Sequence, residues 1–343
     1  MEQIKIRNME EFAALSGVSR PTVSKYFNDR TSVRPATREK IERALEQCDY
    51  RPNIFAINQN RKLTKNVGIV VPFLADPFFA EIARRIEMLV IEAGFRPILL
   101  SSHGDPAYEV GNLESLRSIK PAGVLLAPLG RASDRAAIER FCSDVPTVNF
   151  DANIDGAGEA FIGHNNAQAT EIMMEYLTRT GEPPVFFEMR TPPNPNANKR
   201  RSAYLESMAR LGHTPHIIQA EGEGWEMEEI GFREGRKAIA DKQIASNTVF
   251  CSNDRLAIGF LAAAYELGIK VGLGAQCAMR VAGHDNHPIA RFTCPTLTTV
   301  SHNYTAIATN SVETMMALIE SGERAADREI KLFDGELIMR ASA

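Results

Sequence analysis

From residue 66 onward the sequence alternates short apolar runs with longer amphipathic ones, and this alternation restricts the fold more than any other feature. Runs at 67–72, 97–101, 123–127, 147–150, 185–188, 217–220, 248–251, 280–282 and 297–300 have the length and composition of buried strands. Between them, stretches such as 79–93 and 254–267 carry helical spacing. Strands that alternate with helices pair in parallel, because each helix returns the chain across the sheet. So many strands predict two sheets, since one open sheet rarely exceeds about ten strands. The Pro- and Asn-rich stretch 191–198 reads as a loop at a strand end, where α/β sheets bind ligands.

The first fifty residues follow a different rule. Met9, Phe12, Ala13 and Leu15 lie at helical spacing, with Asn8 in the capping position. Gly17 supplies a tight turn, and Ser19 is placed to cap a second helix over 20–28 that tolerates Pro21 in its first turn. A third helix is predicted over about 35–48, opened by Pro35, with Ile41, Ala44 and Leu45 as its buried stripe. Two helices joined by a short glycine-containing turn have the geometry of a major-groove reader, although a plain bundle fragment has the same pattern. The second helix is expected to expose Arg20, Thr22, Ser24, Lys25 and Tyr26, suited to base edges and phosphates. Residues 1–65 hold 13 Lys and Arg against 8 Asp and Glu, a net of +5, whereas the whole chain is at −4. Only this end is therefore suited to a polyanion, and a solvated pair of charged helices fits the charge equally well.

At 343 residues the chain exceeds one ordinary domain. Cys48, Cys142, Cys251, Cys277 and Cys294 are scattered and odd in number, which fits reduced core thiols of a cytoplasmic protein. The first five residues lack the apolar run of a secretory signal, and no stretch approaches the roughly 18 apolar residues of a membrane helix. His213 and His216, and His284 and His287, have metal-like spacing, but without cysteine partners and with Pro215 and Pro288 in apparent turns no metal is expected. P-loop, G-x-G-x-x-G, G-x-S-x-G and H-E-x-x-H patterns are lacking, so neither an enzyme nor a cofactor is expected.

The string from Met9 to Asn28, with Ser16-Gly17-Val18-Ser19-Arg20-Pro21-Thr22-Val23-Ser24 at its centre, resembles the headpiece of the lactose-repressor/galactose-repressor family. Val33-Arg34-Pro35-Ala36-Thr37 and Tyr50-Arg51-Pro52-Asn53 continue the likeness. In the body, Asp76-Pro77-Phe78-Phe79, Ser252-Asn253-Asp254, Gly283-His284-Asp285-Asn286 and Pro295-Thr296-Leu297-Thr298-Thr299-Val300 resemble the family's pocket-edge, cleft and crossover motifs. The resemblance implies an all-α helix-turn-helix headpiece plus an α/β, type-I periplasmic-binding-protein-like sensor of two lobes. It places headpiece and hinge in 1–60 and the effector-binding domain in 61–343. The first lobe would take about 66–160 and 291–322, the second about 161–290 and 323–343. It implies operator contacts by Ser19, Arg20, Thr22, Ser24, Lys25, Asn28, Arg38, Arg51, Asn53, Ala56 and Gln59. Gln59 stands where the family has an apolar minor-groove wedge, a task for which an amide is poorly suited.

For the effector, the resemblance implies Asp76, Phe78, Phe79, Asp151, Arg200, Trp225, Asn253, Asp285, His302 and Tyr304. Carboxylate, amide and guanidinium groups beside an aromatic face suit a sugar-like molecule. Simpler roles stand beside these: Asp254 as a helix cap, Asp285 as a turn residue, Phe78, Phe79 and Trp225 as packing. The implied protein is a repressor acting as a homodimer on an inverted repeat of double-stranded DNA, controlled by a small carbohydrate-like effector and independent of membranes. The competing readings are a periplasmic sugar-binding protein, which would need a signal and no headpiece, and a sugar-modifying enzyme, which would need a catalytic cluster in the cleft.

Overall fold

The computed structural model describes residue 6 and residues 8–28, 30–48, 50, 64–324 and 327–343. The chain divides into two compact units, Met1–Thr64 and Lys65–Ala343.

In the first unit, helices span Met9–Ser16, Arg20–Asn28 and Pro35–Gln47. Asn8 caps the first, its side-chain oxygen accepting from the Glu11 amide at 2.9 Å. Gly17 ends it at φ +62°, the left-handed geometry that glycine adopts without strain. Phe12, Val23, Tyr26, Val33, Ile41 and Ala44 form the core, with Phe12 stacked on Tyr50 at 4.7 Å. Tyr26 corrects the sequence reading. It is 1% exposed and donates its hydroxyl to Glu42 at 3.2 Å. Its position, three residues after Val23, lies on the apolar face of the helix, so it holds the core instead of facing outward. The hinge expected around Arg51, Asn53, Ala56 and Gln59 lies outside the described residues.

The second unit contains strands β1 (Asn66–Val71), β2 (Arg96–Ser101), β3 (Gly123–Leu126), β4 (Thr147–Phe150), β5 (Ala160–His164) and β6 (Val185–Met189). They are followed by β7 (Ile217–Ala220), β8 (Thr248–Cys251), β9 (Arg280–Ala282), β10 (Thr299–Ser301), β11 (Glu329–Phe333) and β12 (Glu336–Ile338). One six-stranded parallel sheet has the order β11-β5-β4-β3-β1-β2, and a second has the order β7-β6-β8-β9. Bridges from Ala282 to Thr298 and from Asp285 to Ser301 extend the second sheet to β10, which pairs antiparallel with β12. Two α/β layers were thus expected and are present.

Strand pairing moves the expected lobe limits. Residues 160–164 and 329–333 join the first sheet, while 298–301 bond to the second. The sequence reading missed β5, β11 and β12 because each is short and carries polar residues or glycine. In Glu329–Phe333, Ile330 and Leu332 are exposed on an edge, so the strand lacks the continuous apolar run of a buried one. The helix Tyr304–Ser321 returns the chain to the first sheet, with Ile307, Ala308 and Met315 in its core.

Candidate effector site and DNA-reading helices

Parallel strands all end on one side, so the loops after them meet there. Asp76 and Phe78 follow β1, and Asp151 follows β4. From the second sheet come Asn194, Ala197 and Arg200 after β6, Trp225 and Met227 after β7, and Asn253, Asp254 and Arg255 after β8. Asp285, His287 and Pro288 follow β9, and Tyr304 follows β10. These residues line one cleft between the two sheets.

Arg200 occupies its floor. Its Nε donates to Asn166 Oδ1 at 3.0 Å, Nη1 to the Ser252 carbonyl at 2.8 Å, and Nη2 to Asp285 Oδ1 at 2.6 Å. His302 Nε2 lies 3.0 Å and His284 Nδ1 3.4 Å from the same oxygen. Burial would raise the Asp285 carboxyl, but Arg200 first and the two imidazoles after it hold it well below the usual carboxylate range. Burial lowers both imidazoles, His284 to about 3, so they stand neutral. His284, Asp285 and His302 bring metal-type ligand atoms within 4.8 Å of one another. The guanidinium already supplies the cation there, and a metal ion would be repelled by it. His164 lies against His302, with ring centroids 3.7 Å apart and ring planes tilted by 37°.

A second ion network spans the cleft mouth. Arg255 makes two bonds to Glu228, at 2.7 and 2.5 Å, and one from Nη1 to Asp76 at 3.0 Å. Asp76 also caps the helix Pro77–Glu92 by accepting from the Phe78 amide at 2.9 Å. One side chain of the second sheet's layer thus grips a helix start of the first. Glycines set this geometry: helices Met227–Ala240 and Asp254–Glu266 cross so closely that a Cβ on Gly259 would fall 2.1 Å from the Glu228 carbonyl oxygen.

Asp151 stands at φ +61° and is 2% exposed. Its Oδ1 accepts from Asn196 Nδ2 at 2.8 Å, while Oδ2 has no partner among the described residues. Burial pushes this carboxyl up to about 7, against the pull of Lys199 and Arg200. Asp254, also pushed to about 7 by burial and then by Asp285, accepts from Thr299 Oγ1 at 2.6 Å and from the His287 amide at 2.7 Å. Trp225, 7% exposed, stacks on Phe73 at 5.3 Å and presents an aromatic wall.

Eight of the ten expected effector residues line this cleft: Asp76, Phe78, Asp151, Arg200, Trp225, Asn253, Asp285 and Tyr304. Phe79 instead belongs to the core, at 1% exposure, because it lies one residue round the helix from Phe78. His302 stands behind Asp285 and does not line the cleft. The cap of the helix Asp254–Glu266 is Asn253, accepting from the Leu256 amide at 2.8 Å, whereas Asp254 is the buried anchor. Sequence reasoning missed Asn194, Met227, Arg255 and His287 as cleft residues. For Asn194 the Pro/Asn-rich loop was a usable signal; Arg255 looks like any helix-surface arginine until its partners, far away in sequence, are known.

In the first unit, Ser19, Arg20 and Lys25 are exposed, and Thr22, Ser24 and Arg38 are partly so. Ser19 Oγ lies 2.9 Å from Thr22 Oγ1, and Arg20 pairs with Glu10 at 2.9 Å in an exposed contact. Asn28 closes the helix.

A helix-turn-helix unit on one chain with a two-sheet α/β body is the build of a DNA-binding transcription regulator. The model for bacterial regulatory proteins of the lacI family matches residues 8–53, and that for a periplasmic binding protein-like domain matches 174–343. Residues 8–53 thus carry a helix-turn-helix domain of the lacI family, joined to a periplasmic-binding-protein-like domain, and the chain is similar over most of its length to regulators of operons. It is 28% identical to the NTD biosynthesis operon regulator NtdR of Bacillus subtilis (strain 168), over 97% of this chain and 99% of that protein. It is 27% identical to the ribose operon repressor of Escherichia coli (strain K12), over 85% and 87%. A solved lac repressor dimer bound to operator and the anti-inducer ONPF has the same fold, at TM-score 0.81, 22% identity and 99% coverage of each chain. Among the described residues, no helix is long and apolar enough to cross a membrane.

Proposed function

We propose that the chain is an effector-controlled repressor, acting in the cytoplasm as a homodimer on an inverted repeat of double-stranded DNA. The second helix reads bases through Ser19, Arg20, Thr22, Ser24, Lys25 and Asn28, with phosphate support from Arg38 and Arg51. Asn53, Ala56 and Gln59 complete the contact from the hinge. A small, hydroxyl-rich, carbohydrate-like effector binds in the cleft, against Asp151, Arg200, Asn253 and Asp285 on its polar side and Trp225 on its apolar side. The observation that carries this reading is the convergence of carboxylate, amide and guanidinium groups from both sheets beside one tryptophan face. Such groups form paired hydrogen bonds to neighbouring hydroxyls, and a ring covers the C–H face of a sugar. A regulator is favoured over an enzyme by the relatives, which are named as an operon regulator and operon repressors.

A ligand in such a cleft acts on DNA only through different affinities for two arrangements of the protein. The test is an operator-binding titration on fragments of the source genome, repeated with sugars that raise the melting temperature. An effector that stabilises the protein and shifts operator affinity supports the reading. Operator binding that no stabilising compound alters sinks the effector half of it.

A further inference from the structure

Within that effector reading, the charge around the cleft specifies the ligand further. Asp76, Asp151, Asp254 and Asp285 line it with only two guanidinium groups, Arg200 and Arg255. Both are already paired, Arg200 with Asp285 at 2.6 Å and Arg255 with Asp76 at 3.0 Å and Glu228 at 2.5 Å. Asp254 has neutral partners on both oxygens, Thr299 and the His287 amide. Asp151 has a neutral partner, Asn196, on one oxygen and none on the other. Its neighbour His164, 3.6 Å away, is held neutral by burial, and Lys199 donates to Asn196 Oδ1 at 3.0 Å. The cleft therefore has two buried carboxyl groups, Asp151 and Asp254, whose hydrogen-bond partners among the described residues are all neutral, and one of them has an unpartnered oxygen.

We propose that the effector is a polyhydroxylated amine whose ammonium group binds Asp151 Oδ2. An anion finds no unpaired cation in the lining. A neutral hydroxyl can fill the open oxygen but does not favour ionisation of a carboxyl that burial keeps protonated up to about pH 7. An ammonium group does both, because it donates a charge-assisted hydrogen bond to that oxygen and its positive charge favours the ionised form of the carboxyl. The remaining hydroxyls keep the polar partners named above.

The test uses the full chain in calorimetric titrations with four matched groups: neutral hexoses and pentoses, their 2-, 3- and terminal-carbon amino-deoxy analogues, the N-acetylated forms of those amines, and uronic acids. At least one amino sugar is expected to bind ten-fold or more tightly than both its parent and its N-acetyl form. Asp151→Asn is expected to reduce that preference to within two-fold. The comparison of amine with N-acetyl form in the wild-type protein stands by itself should the variant fold poorly. A panel in which parents or uronic acids bind as tightly as the amines, or in which no amine binds, overturns the proposal. Tight neutral-sugar binding that also shifts operator affinity would overturn the amine alone and leave the effector reading intact, whereas a panel with no binder of any charge counts against both.

Discussion

Asp151 and Asp254 hold their protons in the folded chain to about pH 7, where an unfolded carboxyl releases its own near 4. The folded state thus binds protons more tightly than the unfolded one. The stability these groups allow is full below about pH 4 and is lost as the pH rises through 7. Asp151→Asn removes one of them while keeping an oxygen for Asn196. The difference in melting free energy, variant minus wild type, is expected to rise from pH 4 to pH 8 by roughly 1–4 kcal/mol, at about 1.4 kcal/mol per pH unit. Thermal melts at the two pH values measure it, and a difference that stays flat with pH means that Asp151 is not held in this state. Arg200 carries the opposite kind of load. Removing it in Arg200→Ala leaves Asp285 buried among neutral imidazoles, and unfolding in urea should lose about 3–5 kcal/mol. Wild-type stability in that variant would show the ion pair to be dispensable. The family resemblance singled out both residues in the sequence, as expected ligand contacts. The structural role of Arg200 was hidden because Asn166, Ser252 and Asp285 come from three distant segments.

Among elements, the two body helices given ranges from the sequence were legible to within two residues at each end, because caps and apolar periodicity mark them locally: 79–93 and 254–267 were expected where Pro77–Glu92 and Asp254–Glu266 are found. Crossings between helices are not local. Gly231 and Gly259 each lie directly against the backbone of the other helix. A Cβ at Gly231 would stand 2.4 Å from the Leu256 carbonyl oxygen. Gly259→Ala must therefore push the two helices apart, despite alanine's better helix propensity. The expected cost is about 1–3 kcal/mol in chemical denaturation, and a stabilised variant would mean that the crossing relaxes freely. Because Arg255 and Glu228 start from these same two helices, the displacement should also loosen the grip on Asp76. The double-mutant cycle Asp76→Asn with Arg255→Gln reads that grip. A coupling of about 1–3 kcal/mol is expected for a largely buried charged pair, and additivity of the two changes would show the pair to be no more than a surface contact.

The whole molecule combines a headpiece with its own small core and a body with its own sheets and core. Basic charge is concentrated in the first unit and acidic charge in the second, which restricts attraction for DNA to one end of the chain. That division was legible from charge and pattern alone; what joins the two functions was not, since coupling is a property of the ensemble and leaves no local sequence mark. Linkage gives it a measurable form. If a cleft ligand weakens operator binding by some factor, operator DNA must weaken ligand binding by the same factor, typically about 5–150-fold. The ligand taken from the calorimetric panel should therefore bind the full chain more weakly in saturating operator than in an equal amount of scrambled duplex. A chain truncated to residues 65–343 should not shift operator DNA, and it should bind the ligand with the affinity of the DNA-free full chain in both duplexes. Calorimetry on the two chains in the two duplexes settles this. Ligand affinity that is blind to operator in the full chain would separate the cleft from DNA binding, and a truncated body that still shifts operator would remove the DNA-reading role from the helix-turn-helix unit.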